Sequence, residues 1–530
     1  MSAPPTSRAT WGALAVVAAL AMALLLPAFD YVPLWDARIY AACALKLADG
    51  DLTGLRCANH PTYAWSLVQA IPQLFAFGSL TTLHLTNVAL ALAGWHGFHR
   101  FLERLLPGDE HRWARVGLVA AVAVHPVLLS SVLHTNPDHG VLAGFLIVLG
   151  ALAHDDTRGI VLGGLLLVFS KEIGVPLFAL AAGLVLLQRV VAAPAGARVA
   201  TVRAHRWWAL PLLLFGADWS VRALRAVESE QWRAAGAGRD FAGFAPLYLR
   251  DPVLLNYAIG IGVIGFMWTV SAPAVLDLLL RVLRAPRRAA APATLGVDAW
   301  WAHFLLACTL CATLGLTAYR TFGNLRYFSA LYPLWIASGY VALVRFGLPT
   351  RARQLIVAGW VALFSVASWR SVDPVSRLAY GTFDGGARPL YATTAITGEC
   401  CGRGRDQLVY NLEFTGYSGT QDEAFADLEV TTATTIAIPL NAAWHYFSQL
   451  DPETRRRTYR WESVMSPRYT DEVTLARRSD PPEQALYFDV SNAAPLGLPA
   501  VLERYEVVET RRYVRGAIAL RVHRLRRRAP

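Results

Sequence analysis

Apolar residues in this chain come in long blocks separated by short polar links. Blocks fall near 11–29, 81–101, 114–133, 139–154, 159–170, 173–191, 207–222, 253–280, 299–318, 327–345 and 354–369. A bilayer-spanning helix needs roughly 20 apolar residues, and the pattern predicts about eleven spans. The two blocks flanking Lys171 are short and also fit one interrupted hairpin. After about residue 371 the pattern changes to polar, mixed sequence. Strand-like runs occur at Gln407–Leu412, Thr434–Pro439, Ala485–Val490 and Ala517–Val522, with helix-like stretches between some of them. The expected fold is mainly α: a polytopic transmembrane helical bundle over 1–370, with a long first outer loop over 30–80, followed by a small extracytoplasmic α/β domain over 371–530.

Composition supports the membrane assignment. Only 16% of the 530 residues are charged, against about 25% in soluble domains, and the mean hydropathy is +0.36. Arg8 is followed by an apolar run from Trp11 to Phe29 with no small-residue cleavage site, which reads as an uncleaved first span. The net charge of +11 does not point to nucleic acid, because the arginines crowd the links Arg104–Arg115, Arg189–Arg206, Arg281–Arg288 and Arg345–Arg353. Basic short links stay cytoplasmic, so 30–80, 134–138, 223–252 and 319–326 face outward. One outward loop departs from the rule, carrying Arg222, Arg225, Arg233, Arg239 and Arg250. Either the span count slips there, or these arginines answer an anionic partner. An odd number of spans leaves the C-terminal domain outside. Alanine richness and arginine in place of lysine suggest a GC-rich bacterial genome, hence an inner-membrane protein whose outer side is the periplasm.

Six cysteines are too few for a disulfide scaffold. Cys43 and Cys57 share the first outer loop, where one disulfide suits an oxidising compartment. Cys308 and Cys311 read as packing residues, and vicinal Cys400 and Cys401 as reduced or paired elsewhere.

Four polar constellations fall on the outward side. The first loop contains Asp36-Ala37-Arg38-Ile39-Tyr40 and then His60-Pro61-Thr62-Tyr63. Asp36 lies where a carboxylate can be ionised beside a lipid-linked substrate, though Asp also caps surface helices. The hinge His134-Thr135-Asn136-Pro137-Asp138-His139 fits a helix start. Ser170-Lys171-Glu172 holds one of two lysines in the chain, the other being Lys46. An ionisable pair between apolar blocks is a functional-site hypothesis, set against a snorkelling lysine. Finally Arg320 and Arg326, the latter followed by Tyr327, are suited to phosphate through bidentate charge-assisted bonds, or to interfacial anchoring. Together these fit a site that accepts an amphipathic phosphate-linked donor and deprotonates an acceptor.

On these residues the chain resembles the GT-C-fold glycosyltransferases, which include the protein O-mannosyltransferases and the aminoarabinose transferases that modify lipid A. Asp36 to Tyr40 looks like the Asp-Glu-x-x-Tyr element of the family's first outer loop, and His60 to Tyr63 like its His-Pro-Pro-Leu-Tyr stretch. Ser170-Lys171-Glu172 resembles its lysine-bearing break, and Arg326-Tyr327 up to Pro333 its Arg-Tyr element. The likeness covers roughly 10–370. It implies transfer of a sugar, with inversion, from a polyprenyl-phosphate donor to a glycan, lipid or protein acceptor. Asp36 would be the general base and Asp138 a second acid or acceptor contact. Lys171, Arg320 and Arg326 would hold the departing phosphate. Tyr40, Arg38, His60, His139, Glu172 and Tyr327 join them as candidate substrate-binding residues. Ala37 departs from the family's Glu, which disfavours paired-acid, metal-assisted variants. No cofactor is expected beyond the donor, and a divalent metal stays open. The main rival reading is a transporter or lipid flippase, which predicts midplane charges and a repeat between halves; a third is a non-catalytic membrane scaffold.

Overall fold

A computed structural model describes residues 8–26, 29, 36–55, 61–133, 135–226, 261–284, 296–319, 325–369, 423–431, 433–438, 469–490, 498–515 and 518–529. The run Gln407–Leu412 and the residues Cys57, His60, His134, Arg233, Arg239, Arg250, Arg320, Cys400 and Cys401 lie outside these.

Each apolar block contains a helix. In chain order the helices are α1 (Arg8–Leu25), α2 (Asp36–Ala48), α3 (Tyr63–Gln73), α4 (Leu80–Leu105), α5 (Arg112–Val124), α6 (Pro126–Leu133), α7 (Pro137–Ala153) and α8 (Thr157–Val168). They continue with α9 (Gly174–Ala192), α10 (Arg198–Ala204), α11 (Leu210–Ala226), α12 (Trp268–Arg284), α13 (Ala299–Tyr319), α14 (Leu331–Arg345) and α15 (Thr350–Trp369). Helix count and crossing count nevertheless part company. Among the described residues, α9 and α13 are long and apolar enough to cross a membrane, and the bent α5–α6 pair adds a third if taken as one span. Eleven crossings are therefore not established by helix length. The block at 114–133 is broken because Pro126 removes a backbone donor and disfavours helical geometry at His125, which is extended (φ −62°, ψ 128°). The two halves diverge by 57°.

Sequence explains the packing order. α7 is apolar on every side and nearly all of it is buried, as expected of a helix at the centre of a bundle. It crosses α4 at glycines. A Cβ on Gly97 would stand 2.7 Å from Ile147 Cα, and one on Gly150 would stand 2.8 Å from the Gly97 carbonyl carbon. Small residues permit this approach, which drives helix association where the hydrophobic effect between helices is weak. Outward-facing Val16, Leu162, Leu213, Leu283 and Leu355 are well exposed, a pattern that calls for a lipid covering.

The polar links sort to two ends. At one, Arg104 donates to the Ala153 carbonyl (3.0 Å), Arg189 pairs with Asp155, Asp298 N–H bonds Leu105 O (3.0 Å) and His111 meets the Tyr340 hydroxyl (2.8 Å). This is the arginine-rich end. The hinge before α7 and the break after α8 lie at the other.

The C-terminal part carries strands β1 (Ile436–Ile438), β2 (Tyr469–Asp471), β3 (Gln484–Val490), β4 (Tyr505–Arg515) and β5 (Ile518–Arg527), with helices α16 (Glu472–Arg477) and α17 (Leu498–Arg504). The sheet order is β2-β1-β3-β5-β4. β1 pairs in parallel with β2 and β3, and β5 pairs antiparallel with β3 and β4. Alternation along the strands gives two buried faces. Ala485, Tyr487 and Leu525 pack with Leu475 of α16 and Val501 of α17. Leu486, Phe488, Leu520 and Val522 belong to the apolar cluster that runs through the helical part.

Candidate functional site

Three separate segments converge on one carboxylate. Asp138 sits in the first turn of α7, where Pro137 starts the helix with a φ already suited to it. Lys171 lies in the break between α8 and α9. Arg326 lies on a short 3-10 turn, Leu325–Phe328, ahead of α14. Lys171 Nζ donates to Asp138 Oδ1 at 3.0 Å and Oδ2 at 3.2 Å, and Arg326 Nε stands 3.4 Å from Oδ2. Tyr327 closes the group: its ring lies 4.2 Å below the Lys171 ammonium, and Arg326 Nη2 reaches its hydroxyl at 3.3 Å. All four residues are buried. Charges are stable there only when paired, so the cluster is an organised ionic site and not a surface decoration.

The start of α3 joins the same end. Ala64 N–H bonds the Phe169 carbonyl at 3.1 Å, just before Ser170 and Lys171. Tyr63 donates its hydroxyl to Asp218 of α11 at 2.7 Å, and its ring contacts Phe169. Gly140 permits a close approach: a Cβ there would lie 2.8 Å from Trp65 and would collide with the Ser170 hydroxyl.

The remaining sequence candidates divide. Lys171 faces Asp138, and not its neighbour Glu172 as a local pair would require. Glu172 is half-buried beside it. Tyr40 is buried within α2. Asp36 is the first residue of α2, while its side chain and that of Arg38 lie outside the described residues, as do His60 and Arg320. His139 has both ring nitrogens engaged, Nδ1 with Ser131 Oγ and Nε2 with the Asn87 carbonyl, each at 2.9 Å. Asn87 in turn receives Gln69 at 2.5 Å and donates to Val132 O at 2.8 Å. This makes His139 a strut between helices. Cys43 is disulfide-bonded, and Cys308 and Cys311 are free. Among the described residues no group of three or more His, Cys, Asp or Glu could hold a metal.

Sequence reading passed over Trp65, and it took Thr135 and Asn136 only as hinge residues. Trp65 Nε1, Thr135 Oγ1 and both amide atoms of Asn136 are buried and have no hydrogen-bond partner among the described residues. Buried polar atoms are almost always bonded to protein or ordered water, so such a group flanking Asp138 is a place where a polar ligand or water belongs.

No family model matches the chain, and no curated protein matches it either. Among solved structures it is similar to ArnT from Cupriavidus metallidurans bound to undecaprenyl phosphate, at 14% identity over 98% of each chain and a TM-score of 0.49. A likeness at that level carries no functional argument.

Proposed function

We propose that the chain is a membrane glycosyltransferase. It takes a hexosyl or pentosyl group from a polyprenyl-phosphate donor and gives it to a hydroxyl of a glycan, lipid or protein acceptor on the periplasmic side of a bacterial inner membrane. The observation that carries this reading is the buried cluster of Asp138, Lys171, Arg326 and Tyr327, which brings the two segments resembling glycosyltransferase motifs, those of Lys171 and of Arg326 and Tyr327, onto one carboxylate. A donor phosphate reaching that end meets an ammonium and a guanidinium already held in position. Cations fixed before the reaction stabilise developing charge without reorganising, and such electrostatic stabilisation often contributes more to catalysis than any other effect.

In the proposed step, Asp36 accepts the proton of the acceptor hydroxyl as its oxygen attacks the anomeric carbon from the face opposite the phosphate. The bond from that carbon to the phosphate oxygen breaks, and the electron pair leaves with the phosphate toward Lys171, Arg326 and Arg320. Asp138 positions the two cations. General-base catalysis of this kind contributes ~10²–10⁴-fold. The test is transfer from a panel of radiolabelled polyprenyl-phosphate sugars in membranes, comparing wild type with Asp36→Asn. Loss of transfer with normal insertion supports the base; unchanged transfer removes Asp36 from the mechanism. Absence of transfer from any donor turns the reading toward a transporter.

A further inference from the structure

We propose that α10 and the turn after it bind the anionic headgroup of a membrane phospholipid, at the end of the bundle opposite Asp138. Apart from Trp208, the segment from Pro194 to Ala209 is not buried in the bundle. It lies across the arginine-rich end and presents Arg198, Arg203 and Arg206 together with exposed Val199, Val202 and Trp207. Gly196, Val199, Ala200, Arg203, Arg206 and Trp207 line an open groove of about 650 Å³.

Three observations favour an anionic lipid. First, Arg198 and Arg203 form no ion pair with an acid among the described residues, and Asp155 and Asp156, at the arginine-rich end, are engaged elsewhere. Asp155 pairs with Arg189, and Asp156 holds Arg100 at 3.2 Å while capping α8 through Gly159 N–H at 3.0 Å. Second, the patch mixes cations with large apolar side chains, which a soluble anion does not need but a lipid does. A helix of this kind lies in the interface with its apolar residues among the acyl chains. Third, Arg206 lies over Trp207 at 5.5 Å, and the same pairing recurs in Arg112 over exposed Trp113 at 5.6 Å. Trp and Arg together mark headgroup depth, and two such pairs at one end set that plane.

The segment is held in place. Arg189 Nη1 donates to His205 Nε2 at 2.8 Å, so the His205 Nδ1–H donates to Thr201 O at 2.7 Å. Arg189 also lies over buried Trp208 at 5.0 Å. The cationic groove is therefore presented by a fixed scaffold and not by a loose arm.

The test uses the full chain in phosphatidylcholine nanodiscs containing a minor fraction of phosphatidylglycerol. Either lipid carries brominated chains, and Trp207 quenching is isolated as the difference between wild type and Trp207→Phe. Phosphatidylglycerol is expected to quench beyond its share of the bilayer. Arg203→Gln with Arg206→Gln should cut that preference by about five-fold per arginine, while phosphatidylcholine quenching persists and shows the segment still in the interface. Arg203→Lys with Arg206→Lys should keep most of the preference. Equal quenching by both lipids in wild type, or an unchanged preference in the Gln double variant, overturns the proposal. So does erasure of the preference by millimolar inorganic phosphate, which would mark a site for a soluble anion.

Discussion

Replacing Asp138 by Asn tests whether one carboxylate organises the ionic cluster. The substitution keeps the side chain's size and takes its charge away from two buried cations. At the 3.0 Å and 3.4 Å separations observed for Lys171 and Arg326, Coulomb attraction at an effective dielectric of about 20 is about 5 kcal/mol for each pair. Desolvation cancels much of that gross figure. Removing one partner of a buried pair nevertheless costs about 3–5 kcal/mol, because the other charge stays buried. Asp138→Asn deprives two cations at once and should fall at the upper end. Lys171→Met removes only one cation and leaves Asp138 with Arg326, so it should cost less. The double variant should recover part of the Asp138→Asn loss, since one of the two cations is gone with the carboxylate. Denaturant unfolding of the full chain in detergent, followed by intrinsic fluorescence, measures all three. Equal losses for the two single variants, or a double variant equal to their sum, would refute the shared-carboxylate argument.

Other substitutions separate structural from functional roles. Asn136→Ala removes a buried amide with no partner among the described residues, so stability should hold or rise, while KM for the donor or acceptor rises if a substrate group is that partner. His139→Ala should cost about 1–3 kcal/mol by deleting two buried hydrogen bonds, to Ser131 and to the Asn87 carbonyl, with KM for a polyprenyl-phosphate sugar unchanged. Gly97→Ala should separate α4 from α7 and lower the Tm in detergent, because the added Cβ meets backbone, which cannot give way. In the C-terminal part, the Tyr513 hydroxyl and the Arg511 guanidinium contact Asp427 at 2.6 Å and 2.7 Å and hold its carboxyl below the ordinary 3.8. The folded state therefore gains stability from this group above pH 3.8 and loses it as the pH falls through the lowered value. The Tm difference between wild type and Asp427→Asn should accordingly vanish in acid.

The helices were legible because burial of apolar side chains sets the blocks, and that signal is local. The break at Pro126 was equally local, yet it was masked by apolar residues on both sides. β3 is a short, nearly continuous apolar run and β5 alternates apolar with polar residues from Leu520 to His523, so both could be read. β4 could not: Tyr505–Arg515 interleaves Arg511 and Arg512 with Glu506 and Glu509, and its register shifts at a bulge between Val507 and Glu509. Its backbone ladder with β5 carries cross-strand charge pairs, such as Arg526 with Glu506 and Arg524 with Glu509, which no single-strand pattern reveals. The site shows the same limit. Lys171 stood out because lysine is so rare here, but its partner lies 33 residues back in sequence, and only packing of α7 against α8 brings the two together.

Where the charges lie bears on which function is physically sensible. A transporter of the alternating-access kind needs its ionisable groups near the middle of the bundle, where both openings can reach them. Asp138 is in the first turn of its helix, Lys171 in a break between helices and Arg326 on a turn ahead of one, and the start of α3 packs beside them through Ala64 and Tyr63. Broken helices of this kind also build transporter sites, so the pairing separates the two readings: two cations held on one buried carboxylate are set to meet a departing phosphate, as the proposed transferase requires.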